Sequence, residues 1–218
     1  MHHHLIPAQQ TRVEIMVVNS RFIATAAPAF SVEEAKTFIA RIKSEFADAS
    51  HNVPLYLIGH EPSVIAHCSD DGEPSGTAGR PALAVLRGSG LGNVAVVVTR
   101  YFGGTKLGTG GLVRAYSDAV RQVLAVLPRA FQVPAHTALL TVPYAAFERV
   151  RLLVQEHHGR ILNENFGADV AIKARFPIER FVAFQAALLE QSNGTLQSEI
   201  VETNDTIVPI DITREQTH

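Results

Sequence analysis

The sequence RYFGGTKLGTGGLVRAY at positions 100–116 decides the fold of the first half of this chain. It directly follows an apolar run at positions 94–98, which predicts a strand buried on both faces. We predict a strand over residues 93–101, a glycine-rich turn, and a helix that has Thr109 as its N-cap and ends before Pro128. A glycine loop that opens a helix can turn backbone N–H groups toward an anion, because the first helical turn leaves them without intrahelical partners.

The predicted helix has one apolar face and one charged face. Arg114, Asp118 and Arg121 share the charged face, where Asp118 is placed to pair with both arginines. The apolar residues recur at helical spacing and predict the buried stripe Leu112, Tyr116, Ala119, Val120, Val123 and Leu127.

A second glycine-rich segment, SDDGEPSGTAG at positions 69–79, places Asp70, Asp71 and Glu73 beside three glycines. Of the 15 glycines in the chain, 11 fall between Gly72 and Gly111, so we predict that the two segments meet in one concave face. Three roles remain open for the acids. In the first role they cap local N–H groups or pair with arginines such as Arg100. In the second they contact the ligand directly, and in the third they hold Mg²⁺ or act as acid and base.

The charge distribution favours an anionic partner for the first half of the chain. The whole chain has a formal net charge of −2. Positions 80–121, however, carry six basic residues against the single acid Asp118. Such a basic patch steers anions even when the net charge is weak.

Composition excludes several classes of protein. The 218 residues are 46% hydrophobic and 18% charged, which is enough to bury a core in one or two domains. No apolar run reaches the about 18 residues that span a bilayer, and no signal peptide is recognisable, so no membrane contact is predicted. The single Cys68 fits a reducing cytoplasm, and we predict a cytoplasmic protein. Met1 to His4 are left out of the fold prediction.

The N-terminal part predicts an α+β domain over residues 1–134. Strands are predicted over residues 11–18, 21–24 and 53–58 from their β-branched and apolar content. Ser31 and Glu34 form a capping-box pattern ahead of a helix over residues 32–46. A loop from Gly76 leads into a short helix that ends near Arg87.

Pro134 is predicted to begin a second domain over residues 135–204. Its elements are strands at 137–142, 161–166, 170–176 and 196–201, and helices at 145–158 and from Pro177 to about 193, with Gly159 as the C-cap of the first. The order β-α-β-β-α-β is that of a ferredoxin-like domain. Residues 205–218 are predicted to be an extended or frayed tail.

The two glycine-rich segments also carry a family resemblance. RYFGGTKLGTGGLVRAY, preceded by SDDGEPSGTAG, resembles the signature of the IMPACT/YigZ family, and the segments at positions 5–8 and 20–23 resemble its opening. The resemblance implies an α+β first domain like the second domain of ribosomal protein S5. It also implies a ferredoxin-like second domain like domain V of elongation factor G, in the layout of bacterial two-domain members.

The basic glycine-rich face and this domain pair together favour a non-enzymatic protein that binds RNA, the ribosome or a translation-associated protein and modulates translation. An enzyme acting on a small phosphorylated or nucleotide-like substrate at the glycine-rich loops is the alternative. A further alternative is a protein–protein interaction module that uses the second domain. Fold alone does not choose among them.

The candidate site follows from the two motifs, and no cofactor or metal is predicted. Arg100, Lys106 and Arg114 are predicted to contact phosphates, and Tyr101 or Phe102 to stack on a base while the other points into the core. The spacings of the histidines and Cys68 match no zinc site. The ligand- or anion-binding residues are predicted to be Asp70, Asp71, Gly72, Glu73, Gly76, Thr77, Gly79, Arg100, Tyr101, Phe102, Gly103, Gly104, Lys106, Gly108, Thr109, Gly110, Gly111 and Arg114.

Overall fold

The structure, a computed structural model, describes residues 4–210 and divides into two compact α+β units. The first unit extends to Phe131 and resumes at Pro209, and the second unit is Gln132–Val208. The predicted α+β class and two-domain architecture are confirmed, while the boundary at residue 134 stays a prediction. The histidines at positions 2 and 3 and the tail beyond residue 210 lie outside the described residues.

The first unit is built on a five-stranded antiparallel sheet with the strand order β2-β3-β6-β4-β5. The short β5 has no counterpart among the predicted strands. The strands of this unit are β1 (His4–Pro7), β2 (Thr11–Val17), β3 (Ser20–Pro28), β4 (His51–Ile58), β5 (Ile65–Cys68) and β6 (Val94–Tyr101).

Helices cover both faces of this sheet. They are α1 (Val32–Glu45), α2 (Gly79–Gly88) and α3 (Gly108–Val126). Val96 and Val98 of β6 face a core shared with α2 and α3, whereas Ala95 and Val97 face a core shared with α1. The central strand is therefore buried on both sides, as its apolar run predicted, and the predicted stripe of α3 is buried as well.

The capping predictions had different outcomes. Ser31 is the N-cap of α1, and its hydroxyl accepts from the backbone N–H of Glu34 at 3.1 Å. The prediction for Thr109 was wrong, because α3 begins at Gly108 and its N-cap is Leu107. Gly108 itself has a left-handed backbone (φ +73°), a conformation that glycine adopts without steric cost.

The second unit has the ferredoxin-like β-α-β-β-α-β order and a sheet in which β10, β7, β9 and β8 are neighbours in that order. β1 also pairs with β7, which begins in the first unit. The elements are β7 (Arg129–Val142), α4 (Tyr144–Glu156), β8 (Arg160–Phe166), β9 (Val170–Pro177), α5 (Ile178–Gln191) and β10 (Ser198–Pro209).

Three details of the second unit differ from the predictions. β7 runs through Pro134, and β10 reaches Pro209, so part of the predicted tail is strand. Gly159 is not the left-handed residue that ends α4, because His158 takes that conformation with φ at +56°. Glycine is required at position 159 for space, since a Cβ there would lie 2.2 Å from the ring of Phe176. Within residues 4–210, no helix is both long and apolar enough to cross a membrane.

Candidate anion-binding site

The first glycine-rich segment folds around the carboxylate of Asp70. That carboxylate accepts hydrogen bonds from the backbone N–H groups of Gly76 at 2.7 Å, Ala78 at 3.1 Å and Gly79 at 2.8 Å. Burial raises the pKa of Asp70, but the three N–H donors outweigh it and hold this pKa below its usual value. Asp70 thus occupies the positive N-terminal end of α2 as an ionised, structural group.

Asp71 fastens the same segment to α1 and β4. Its side chain pairs with Lys43 of α1 and accepts from the backbone N–H of Asn52 at 2.6 Å. Its carbonyl oxygen lies 2.8 Å from Nδ1 of His51, and its backbone is left-handed with φ at +48°. These contacts to the body of the unit leave Asp71 in an organising role.

Glu73 joins the first glycine-rich segment to the second through a buried network. Its Oε1 accepts from Nη1 of Arg100 at 2.7 Å and from the hydroxyl of Tyr116 at 2.7 Å. Glu73 and Arg100 are 8% and 5% exposed. Burial, followed by the bond to Glu73, raises the pKa of Tyr116 far above its usual value, so Tyr116 remains a donor.

Ser20 continues this network into the second glycine-rich segment. Its hydroxyl oxygen accepts from Nη2 of Arg100 at 3.3 Å and from the N–H of Gly103 at 3.4 Å. Gly103 packs so closely on the backbone of Asn19 that no side chain fits there. The two segments therefore meet, as their glycine density predicted, while the concave face stays a prediction.

The environments of Arg100, Tyr101 and Phe102 differ from the predictions. Arg100 does not present its guanidinium to solvent, because the group is buried and paired with Glu73. Alternation along the strand predicted that Tyr101 or Phe102 would be core, but neither is. The Tyr101 hydroxyl donates to Asp48 at 2.8 Å, and Phe102 is 48% exposed.

The second glycine-rich segment is open where it enters α3. The N-cap of this helix, Leu107, makes no side-chain capping hydrogen bond, in contrast to Ser31 at the start of α1. Gly104 and Gly108 have left-handed backbones, and a Cβ at either would meet nothing within 4 Å. The N–H groups of the first turn, with the positive end of the helix dipole, therefore face an uncrowded surface.

Two exposed cations flank this opening. Lys106 precedes α3 by two residues, and Arg114 lies in its second turn with Nε 3.4 Å from the carbonyl oxygen of Gly110. Over residues 4–210 neither has an ion-pair partner, whereas Arg121 further along α3 pairs with Asp118. Thr109, Gly110 and Gly111 belong to the first turn itself. We call Lys106, the first turn of α3 (residues 108–111) and Arg114 the open loop site.

The remaining predicted residues hold the first segment in shape. The Thr77 hydroxyl donates to the carbonyl of Pro74 at 2.7 Å, and Gly72 and Gly76 have left-handed backbones. Gly79 is needed for space, since a Cβ there would lie 2.7 Å from the carbonyl oxygen of Ser69. This segment is therefore organised by internal bonds.

Sequence reasoning missed the residues that support the network from a distance. Ser20, Lys43, His51 and Tyr116 come from four different elements. Ser20 and Tyr116 lie in segments that carry the family resemblance, but nothing local assigns either of them to the polar network, and no motif marks Lys43 or His51. Tyr116 offered one signal, because a hydroxyl in an otherwise apolar stripe must find a buried partner.

Metal and thiol chemistry find no support in this part of the molecule. Among the described residues, no group of three or more His, Cys, Asp or Glu is placed to hold a metal ion. Burial, followed by the nearby Asp70 carboxylate, raises the pKa of the Cys68 thiol. This disfavours the reactive thiolate.

Comparison with protein families assigns both halves of the chain. The Impact N-terminal domain matches residues 18–124, and a domain of unknown function, DUF1949, matches residues 140–195. The first match includes both glycine-rich segments, and the second lies within the ferredoxin-like unit.

Individual relatives agree with this assignment. The IMPACT family member YigZ of Escherichia coli is 38% identical over 199 residues, covering 91% of this chain and 98% of that protein. A crystal structure of a hypothetical protein, also 38% identical, matches with a TM-score of 0.62 over 93% of this chain and 98% of that one. Protein IMPACT of Mus musculus is 34% identical over 107 residues, which are 47% of this chain and 33% of that protein.

Proposed function

The chain belongs to the IMPACT family, with the two-domain layout of its bacterial relatives, and on that premise we propose that it is a non-enzymatic protein that binds RNA and modulates translation. The RNA is either free or part of the ribosome, and the open loop site makes the phosphate contacts. A cytoplasmic location and a translation-associated protein partner are part of the same proposal.

The observation that carries the proposal is the uncapped start of α3. A helix N-terminus with free N–H groups favours a phosphate, and Lys106 and Arg114 add two unpaired charges next to it within the described chain. The equivalent end of α2 is already occupied by the Asp70 carboxylate. An external anion is therefore best accommodated at α3.

A polynucleotide fits this surface better than an isolated phosphate does. Phe102, which precedes Lys106 in the second glycine-rich segment, exposes nearly half of its surface. An exposed aromatic ring can stack on any of the bases, and such stacking contributes about 1–3 kcal/mol of binding free energy per base. Phosphate contacts with one stacking platform predict binding that is weakly dependent on sequence and strongly dependent on salt.

The alternative is an enzyme that acts on a small phosphorylated or nucleotide-like substrate at the same loops. In that alternative Asp70, Asp71 and Glu73 would be the acid or metal residues. The hydrogen bonds of these three acids to the protein itself support a structural role rather than catalysis, because a general base must be free to take a proton. The third candidate function, protein binding through the second unit, gains no comparable support.

The test is crosslinking in cells, followed by sequencing of the RNA and mass spectrometry of the proteins and small molecules recovered with the full chain. The comparison is with the Lys106→Ala/Arg114→Ala variant expressed at the same level. We expect RNA recovery from the intact chain to fall several-fold in the variant. Recovery of RNA that is equal for both chains would contradict the proposal. An RNA-free recovery with one enriched metabolite would favour the enzyme, and one enriched protein would favour the interaction module.

A further inference from the structure

A cavity of about 500 Å³ lies in the first unit, at the opposite end of its sheet from the glycine-rich segments. The strand register establishes this position. Arg100, beside the glycine loops, pairs with His51 at the start of β4, whereas Val94 at the other end of β6 pairs with Leu57, which lines the cavity. This volume is within the range of pockets that hold small molecules.

The wall of the cavity combines apolar side chains with a pair of imidazoles. Leu5 of β1, Leu57 of β4 and Leu91 after α2 provide the apolar part. His4 and His60 stack face to face, with ring centroids 4.0 Å apart and an interplanar angle of 16°. Both rings line the cavity, so it presents flat, unsaturated surface to a ligand.

Two opposite charges line the same space without neutralising each other. Arg87 comes from the last turn of α2, and Glu61 from the loop after β4. Within the described part of the chain neither side chain forms an ion pair. The helix dipole favours an arginine in the last turn of α2, but it does not explain why Arg87, an acid and two stacked rings share one cavity.

We propose that this cavity binds a small anion that carries a flat, unsaturated ring with an amino group, the chemical class that includes mononucleotides. Arg87 pairs with the anionic group, the imidazole pair stacks with the ring, and Glu61 accepts from the amino group. The apolar wall covers the rest of the ring. This site is separate from the open loop site and does not depend on the proposed function.

The test is a titration of the ¹⁵N-labelled full chain followed by NMR, with adenosine monophosphate as the probe. Adenosine, which lacks the anion, and inorganic phosphate, which lacks the ring, serve as partial probes. We expect adenosine monophosphate to shift the amide signals of Leu5, Gly59 and Gly90 and to bind at least tenfold more tightly than either partial probe.

Four variants establish where the nucleotide binds. Arg87→Gln and His4→Ala should each weaken binding about tenfold, and neither side chain is part of the buried core, so the amide spectrum should otherwise stay intact. Arg80→Gln makes the same change at the other end of α2 and should bind like the parent chain. Lys106→Ala/Arg114→Ala should also retain nucleotide binding. Loss of nucleotide binding at the cavity is therefore distinguishable from loss of RNA binding at the open loop site.

Three results would overturn the proposal. One is the absence of any shift around the cavity with adenosine monophosphate. Another is inorganic phosphate binding as tightly as the nucleotide, which would mean that the ring is not recognised. The last is an Arg87→Gln variant that keeps the parent affinity while its spectrum remains folded.

Discussion

The two glycine-rich segments of the first unit begin alike and end differently. Each leads into a helix through glycines with left-handed backbones. The first contains Asp70, whose carboxylate fills the start of α2, while the second contains no acid, and the start of α3 remains open. Glycine density therefore marks both segments, but the carboxylate decides which one is available to an external anion.

The charged residues of the two segments fall into a buried, paired group and an exposed, unpaired group. Glu73 and Arg100 neutralise each other in a buried pair that holds the segments together. Lys106 and Arg114 have no such partner among residues 4–210 and are exposed. A basic residue near the glycines is consequently structural when it is buried and paired with an acid. It is available for a ligand when it is exposed and has no such partner.

The largest effect is expected when the buried pair is broken. Glu73→Gln leaves Arg100 as a buried charge without its counter-ion, which costs about 3–5 kcal/mol of the free energy of unfolding. Urea denaturation followed by circular dichroism measures the loss. Asp118→Asn is the matched control, because it breaks an exposed pair in the same unit and should cost less than about 1 kcal/mol. Equal losses would contradict the structural role of Glu73.

A smaller effect is expected at the occupied start of α2. Asp70→Asn removes an ionised acceptor from three N–H groups and should cost about 1–2 kcal/mol at neutral pH. Because the pKa of Asp70 is lowered on folding, its contribution is complete above the unfolded pKa and declines as the pH falls below about 4. The stability gap between parent and variant should therefore narrow as the pH falls from about 5 to about 3. A gap that is constant over this range would contradict the assignment.

The sequence predicted the elements of the first unit better than their ends or their polar contacts. Local periodicity was sufficient for β6 and for the buried stripe of α3, because a single pattern of apolar residues decides each. Local sequence did not decide that Arg100 is internal, since its partner Glu73 lies 27 positions earlier. It also missed the extent of β7 and β10, where tertiary pairing overrides Pro134 and the polar residues near position 205.

Glycine density and charge predicted that the two segments meet, and the structure joins them through Glu73, Arg100 and Ser20. These local features did not distinguish the buried, structural residues of the two segments from the exposed ones. That distinction needs burial and hydrogen-bond partners, which depend on residues from distant strands.

The smallest effect on stability is expected at Gly110. The same substitution should raise the stability of the protein and lower its affinity for RNA. Gly110→Ala introduces a better helix former without a clash, so stability should rise by about 0.5–1 kcal/mol. The added methyl group obstructs the close approach of a phosphate to the first turn, so RNA affinity should fall several-fold. Gly88→Ala in α2 is the control, because it should stabilise similarly and leave RNA binding unchanged. Unchanged RNA binding by Gly110→Ala would contradict the proposed route of approach.

The most direct test of the open loop site is the salt dependence of binding to a single-stranded RNA, measured by fluorescence anisotropy. Lys106→Ala/Arg114→Ala is compared with Arg149→Ala/Arg180→Ala, which removes the same charge from the second unit, after circular dichroism confirms that both variants fold. Two lost phosphate contacts should weaken binding and flatten the slope of log affinity against log salt by about 1.4 in the first variant only. An affinity and slope equal to those of the parent chain would contradict RNA binding at this site.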